Sequence, residues 1–142
     1  MSEATVQTAT AGGVCTITLN RPAALNALNQ DLAIALRDAV VAAEQDPSVR
    51  CLVIRGGEHF MAGGDIAAFT GEPEQRLARI GEILEHFHNF VFALQESPQP
   101  VVCAVNGVAA GAGANLAFAC DIVLAAREAS FIQAFCKIGL IP

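Results

Sequence analysis

Residues 101–114 read VVCAVNGVAAGAGA, and this stretch decides the fold. Its first five residues form a short, continuous apolar run, which is typical of a strand buried on both faces of a sheet. The small residues that follow, from Gly107 to Ala114, allow a ligand or a packed helix to approach the backbone closely. A buried strand that leads through such a turn into a helix indicates an α/β domain with a largely parallel sheet.

The same alternation of strands and helices extends in both directions from this stretch. Upstream, Gly12 and Gly13 separate two alternating segments, which predicts a β-hairpin. Strands that alternate with helices require right-handed crossovers and therefore a mainly parallel sheet. The predicted elements are strands 5–10 and 14–19, a helix capped by Asn29, strand 51–54, helix 73–96, strand 101–105, helix 115–119 and strand 122–124.

Composition excludes several classes of protein. The chain has 142 residues, of which 54% are hydrophobic and 15% charged, so it is long enough and apolar enough to form a core. Its formal net charge of −6 argues against nucleic-acid binding. The only lysine is Lys137 and the arginines are scattered, so no basic membrane patch exists, and no apolar stretch is long enough to span a bilayer.

The cysteines and the first residues predict a cytoplasmic protein. The five cysteines are an odd number without a C-x-x-C pair, and most lie in apolar runs. We therefore expect small, buried thiols rather than disulfides or a zinc site. The N-terminus lacks the basic and apolar regions of a secretory signal.

Two glycine-rich loops follow predicted buried strands. They are residues 60–65, FMAGGD, and residues 106–114, NGVAAGAGA. Ligands bind beyond the carboxyl ends of parallel strands, and the second loop opens a helix whose free N–H groups attract an oxyanion. Tight packing of helix against sheet explains either loop alone equally well. A dinucleotide site is disfavoured, because Leu116 replaces the third glycine of G-x-G-x-x-G.

The side chains offer no obvious acid, base or metal site. Asp65 lies where a helix could begin, and we interpret it as an N-cap rather than a catalytic group. The histidines have no partners at metal-ligand spacing, so structural or solvated roles are favoured for His59, His86 and His88.

Taken together, successive segments resemble the crotonase (enoyl-CoA hydratase/isomerase) superfamily. The resemblance runs in order through nearly the whole chain, and it implies a ββα spiral core that binds an acyl-coenzyme A thioester. On this basis residues 1–142 are expected to be the N-terminal part of a longer subunit. The matching segments are residues 19–28 (LNRPAALNAL), 60–65, 100–113 (PVVCAVNGVAAGAG), 119–121 (ACD) and 131–142 (FIQAFCKIGLIP).

The resemblance also implies roles for individual residues. Two backbone N–H groups hold the thioester oxygen in this family, and the matching positions are Gly64 and Ala112. Because the donors are main-chain amides, alanine is acceptable at the second position. No cofactor is implied beyond the coenzyme A of the substrate, and the full subunit is expected to form a trimer or a pair of trimers. The positions that match coenzyme A contacts are Ala24, Leu25, Ala62, Asp65 and Ile66.

Departures from the hydratase pattern favour an isomerase. Asn115 and Phe135 occupy the positions of the two hydratase glutamates, and neither an amide nor a phenyl ring can transfer a proton as a carboxylate does. The closing segment resembles the branch with 1,2-epoxyphenylacetyl-CoA isomerase and related enoyl-CoA isomerases. That branch places an acid–base aspartate directly after the residue matching Pro142. A protein of this branch would act in fatty-acid or aromatic catabolism.

Two alternatives stay open at this point. An aryl- or acyl-CoA dehalogenase, or a hydrolase-like relative, would use the same aspartate as a nucleophile and also carries an aromatic residue at the position of Phe135. A non-catalytic acyl-CoA-binding protein or an inactive fragment is the other possibility. Phe135 is equally well explained by contact with the acyl group and by filling the core.

Overall fold

The computed structural model describes residues 4–139 and residue 141. The described strands are β1 (Val6–Ala11), β2 (Val14–Leu19), β3 (Cys51–Arg55), β4 (Val101–Val105), β5 (Val108–Ala110), β6 (Ile122–Ala125) and β7 (Ser130–Ile132). A five-stranded sheet with the order β1-β2-β3-β4-β6 forms the centre, and β5 and β7 form a separate two-stranded sheet. β1 is antiparallel to β2, and the other neighbours are parallel.

The N-terminal hairpin confirms the prediction. β1 and β2 are joined by Gly12 and Gly13 alone, at φ angles of 59° and 83°. Positive φ at both central residues matches the right-handed twist of the strands, and glycine adopts it without steric penalty.

Two of the three helices lie where the apolar periodicity predicts them. α1 (Gln30–Glu44) begins at Asn29, whose side chain accepts a hydrogen bond from the Leu32 amide. α2 (Pro73–Glu96) packs against α1 through its buried second half. α3 (Ala112–Ala119) begins three residues before the predicted Asn115, because a backbone turn at Gly111 starts it and no side chain caps it.

The small sheet of β5 and β7 was not predicted. It continues directly from the glycine-rich stretch after β4, and the Met61 segment joins it through hydrogen bonds to Val108 and Ala110. Its parallel pairing links residues about 20 positions apart, for which a three-residue strand gives no local signal. The consequence is that β5 carries the second glycine-rich loop to the side of the first.

The core lies between the central sheet and the helices. Ile17, Leu36, Ile54 and Phe90 are among its completely buried side chains. Among residues 4–139 and 141, no helix combines the length and apolar character needed to cross a membrane.

Candidate active site

Gly64 lies in a segment that is held from one side. The Leu28 amide donates to the Gly63 carbonyl at 2.7 Å, and the Asp65 amide donates to the Leu28 carbonyl at 2.9 Å. Because these two groups point towards Leu28, the N–H of Gly64 points to the other side of the segment. Within the described part of the chain, that N–H has no hydrogen-bond acceptor.

Ala112 is the first residue of α3, where an N–H has no acceptor inside its own helix. Gly111 precedes it at φ 49° and ψ −116°, a conformation that is accessible to glycine and strained for other residues. The Gly111 amide donates to the Ile132 carbonyl at 2.8 Å, and the first helical bond runs from the Asn115 amide to the Gly111 carbonyl. The first turn of α3 therefore presents free amides, beginning with that of Ala112, among the residues the structure describes.

The two glycine-rich loops touch each other. A Cβ placed on Gly63 would lie 3.2 Å from the Ala110 carbonyl oxygen, and one on Gly111 would lie 3.9 Å from the Gly63 Cα. A Cβ on Gly113 would lie 2.3 Å from the Met61 carbonyl oxygen. A side chain has no room at Gly113, and positive φ angles favour glycine at Gly63 and Gly111. The loops thus place the residues directly before Gly64 and Ala112 side by side.

The two positions that match the hydratase glutamates lie beside the Ala112 turn. Asn115 is one helical turn after Ala112, and its side-chain oxygen accepts a hydrogen bond from Gln133 at 2.8 Å. The Phe135 ring lies 3.7 Å from where a Cβ of Gly111 would be. The site thus has a hydrogen-bonded amide and a half-buried phenyl ring here.

Asp65 occupies the predicted N-cap position, but its side chain does not cap the helix. It precedes the short 3-10 helix Ile66–Ala68, but its side chain makes no capping hydrogen bond. Its carboxylate instead accepts from the Arg21 guanidinium at 2.9 Å. A partner 44 positions earlier in the sequence has no local signature.

The five positions matched to coenzyme A contacts come from two adjacent segments. The Ala62 amide donates to the Leu25 carbonyl at 3.1 Å, which joins the Ala24–Leu25 segment to the loop that holds Asp65 and Ile66. Leu25 and Ile66 are 49% and 66% exposed. Leu25 also borders a cavity of about 270 Å³ between residues 18–26 and 57–59.

In the described part of the chain, Nδ1 of His59 and Nδ1 of His86 are buried without a hydrogen-bond partner. His59 Nδ1 lies 2.5 Å from where a Cβ of Gly107 would be, and His86 Nε2 is 3.3 Å from the Gln30 side chain. A hydrogen bond with Cys120, together with burial, raises the pKa of the Cys103 thiol, so it is a poor nucleophile. All five cysteines are free, and the described residues contain no cluster of three potential metal ligands.

Three neighbours of the site were missed by the sequence analysis. Phe69 lies 3.4 Å from where a Cβ of Gly64 would be, Gln133 contacts Asn115, and Arg21 contacts Asp65. Arg21 and Gln133 fall inside the motifs that carry the resemblance, which is the signal that could have identified them. Phe69 follows the glycine-rich loop by only a few residues, in a segment with no recognisable pattern.

Comparison with known proteins gives one consistent result. The family model described as enoyl-CoA hydratase/isomerase matches residues 9–142. The chain is 47% identical over 132 residues to the 1,2-epoxyphenylacetyl-CoA isomerase of Escherichia coli (strain K12), covering 92% of this chain and 50% of that protein. It is 37% identical over 126 residues to the crotonyl-CoA hydratase of Syntrophomonas wolfei, covering 87% and 47%. The chain therefore spans about half the length of the curated relatives it matches.

Solved structures agree in fold. An enoyl-CoA hydratase from Mycobacterium avium subsp. paratuberculosis K-10 superimposes with a TM-score of 0.84 at 37% identity, covering 98% of this chain and 51% of that one. An enoyl-CoA hydratase from Polaromonas sp. JS666 gives 0.85 at 37% identity, covering 96% and 54%. The crotonase-like core expected from the resemblance is confirmed.

Proposed function

The chain belongs to the enoyl-CoA hydratase/isomerase family, and from this premise we propose that it carries the oxyanion hole of an acyl-coenzyme A isomerase. The main supporting observation is the contact between the two glycine-rich loops, each of which presents a free backbone N–H. The substrate class is an acyl-CoA thioester, of the enoyl or epoxyphenylacetyl kind. Coenzyme A enters as part of the substrate, and the proposal requires no separate cofactor.

The proposed chemistry depends on where negative charge develops. Removal of a proton next to a thioester carbonyl moves charge onto the carbonyl oxygen, which becomes an enolate. The N–H groups of Gly64 and Ala112 would donate to that oxygen, and such fixed donors stabilise the transition state without reorganising during the reaction. The surface of Ala24, Leu25, Ala62, Asp65 and Ile66 would hold the coenzyme A.

Isomerisation is favoured over hydration by the side chains beside the Ala112 turn. The Asn115 amide already accepts a hydrogen bond from Gln133, and neither it nor Phe135 is a proton carrier. The acid–base group of the proposal is the carboxylate that the resemblance expects directly after Pro142, which is itself outside the described residues. Phe135 would contact the acyl group, and an apolar or aromatic substituent suits it.

We expect the native protein to isomerise 3-enoyl or epoxyphenylacetyl thioesters and to hydrate crotonyl-CoA only at the background rate. The reason is the absence of a carboxylate at positions 115 and 135, where hydration would need two. Liquid chromatography coupled to mass spectrometry, with the three thioesters, measures this: retention separates isomers of equal mass, and the mass gain of one water marks hydration. Rapid hydration would contradict the assignment of these positions.

Two further measurements on the same protein separate the alternatives. Release of halide from a haloaryl-CoA would identify a dehalogenase, and thioester binding without any product would identify a non-catalytic acyl-CoA-binding protein. We also propose that the full subunit works in the cytoplasm as a trimer or a pair of trimers. Light scattering coupled to size-exclusion chromatography measures the assembly.

A further inference from the structure

We propose that Arg21 is a positioning residue for the Gly64 amide, because its guanidinium ties together the two segments that hold Gly64 and neutralises the carboxylate next to it. This inference rests on the proposed function, which makes Gly64 one of the two oxyanion donors. Arg21 would act through Asp65 and Ala27 and would not touch the substrate.

The first step is the geometry around Gly64. Leu28 holds both neighbours of Gly64 through two backbone hydrogen bonds, of 2.7 and 2.9 Å. The Arg21 side chain spans the same pair of segments immediately beside this contact. One guanidinium nitrogen, Nη2, donates to Asp65 Oδ2 at 2.9 Å, and the other, Nη1, donates to the Ala27 carbonyl. Asp65, which follows Gly64, and Ala27, which precedes Leu28, are therefore held by one rigid, planar group.

The second step is that Arg21 is itself held in place. Its backbone N–H donates to Asn26 Oδ1 at 2.8 Å, and the Asn26 backbone N–H donates to the Arg21 carbonyl at 2.9 Å. Asn26 is 3% exposed, and its side-chain nitrogen donates to the carbonyls of His59 and Phe60 at 3.0 and 3.1 Å. The Arg21 loop is thus anchored to His59 and Phe60, at the start of the first glycine-rich loop.

The third step is electrostatic. Asp65 directly follows Gly64, so its carboxylate belongs to the residue next to the proposed oxyanion donor. The Arg21–Asp65 pair is mostly sheltered from water, with side chains 19% and 17% exposed. An unpaired carboxylate there would raise the energy of a nearby oxyanion, and the guanidinium cancels this repulsion.

The test uses Arg21→Gln and Arg21→Lys in the native protein, including any residues that follow position 142. For Arg21→Gln we expect kcat for thioester isomerisation to fall between roughly 10- and 100-fold, as when a catalytic group is slightly misplaced. KM should change little, because the ground-state thioester carries no charge on its oxygen. Arg21→Lys keeps the charge but cannot bond Asp65 and Ala27 as a fork, so its kcat should lie between those of Arg21→Gln and the parent.

Arg37→Gln is the matched control. Arg37 bonds Asp38 at 2.7 Å on the exposed surface of α1, in a pair of the same chemistry away from the site. Its loss should leave kcat and KM at parental values. The double variant Arg21→Gln/Asp65→Asn should be faster than Arg21→Gln alone, because it no longer has an uncompensated carboxylate beside Gly64. A merely structural role for Arg21 would lower thermal stability and leave kcat per folded molecule unchanged, which would overturn the proposal.

A second measurement keeps the inference separate from the proposed function. In NMR spectra, Arg21→Gln should shift the Gly64 amide signal and speed hydrogen exchange of the Leu28 and Asp65 amides, whose bonds hold the Gly64 segment. The Gly12 amide in the distant hairpin should stay as in the parent. If Arg21→Gln does not fold, Arg21→Lys serves for both measurements. An inactive parent would contradict the proposed function alone, whereas unchanged exchange of the Leu28 and Asp65 amides in a folded variant would contradict the role of Arg21.

Discussion

Ala112→Pro should lower kcat for thioester isomerisation about 100- to 1,000-fold, the usual effect of removing one oxyanion donor. Proline has no N–H, and position 112 is the first residue of α3, where that N–H has no helical acceptor to lose. The ψ of −116° at Gly111 keeps it out of the α region that a following proline forbids. The substitution therefore removes the donor and leaves the helix able to form.

Ala112→Gly is the control for this prediction, because it keeps the N–H and changes only the side chain. We expect its kcat to stay near that of the parent. Steady-state kinetics, with circular dichroism to verify folding, distinguish the two variants. If a folded Ala112→Pro variant kept parental kinetics, Ala112 would have no place in the oxyanion hole.

Gly113→Ala should damage stability and activity together. The new Cβ would lie 2.3 Å from the Met61 carbonyl oxygen and 2.7 Å from the Met61 Cβ, so α3 or the Met61 segment has to move. Overpacking of this kind costs up to about 3 kcal/mol of the free energy of unfolding. A shift of about 1 Å between the two loops would also lower kcat by roughly 100-fold.

Gly81→Ala is the matched comparison, since Gly81 is exposed in α2 and a Cβ there would meet no atom within 4 Å. Alanine is the better helix former, so this variant should gain about 0.5 to 1 kcal/mol. Urea denaturation measures both variants. Equal stability of the two would show that the close approach of α3 to the Met61 segment is not as the structure has it.

The parts of the fold that were predictable have a strong local signal. The paired glycines of the hairpin, the Asn29 cap and the apolar stripe of α2 all act within a few residues. The early start of α3 was missed because residues 107–114 are all glycine, alanine or valine, which gives no helical periodicity. β5 and β7 were missed because they depend on pairing between distant segments.

The candidate site likewise contains residues with a local sequence signal and residues without one. Gly64 and Ala112 were proposed as oxyanion donors through the family resemblance of the glycine-rich motifs around them, and these motifs are recognisable in sequence. Asp65 lies at the predicted N-cap position, but no local signal indicated that its side chain binds Arg21 across two loops. Contacts of that kind depend on how the loops approach each other, which spacing alone does not reveal.

Asn26 has a consequence for the chemical ageing of the chain. An asparagine deamidates when the backbone nitrogen of the next residue attacks its side-chain carbonyl, and here the Ala27 nitrogen is occupied by a hydrogen bond to the Ala24 carbonyl at 2.9 Å. The native loop is therefore protected, whereas an unfolded chain is not. Once converted to a carboxylate, the side chain would face the carbonyl oxygens of His59 and Phe60 as a buried charge, which opposes refolding. Unfolding would therefore expose Asn26 to an irreversible change that the folded loop prevents.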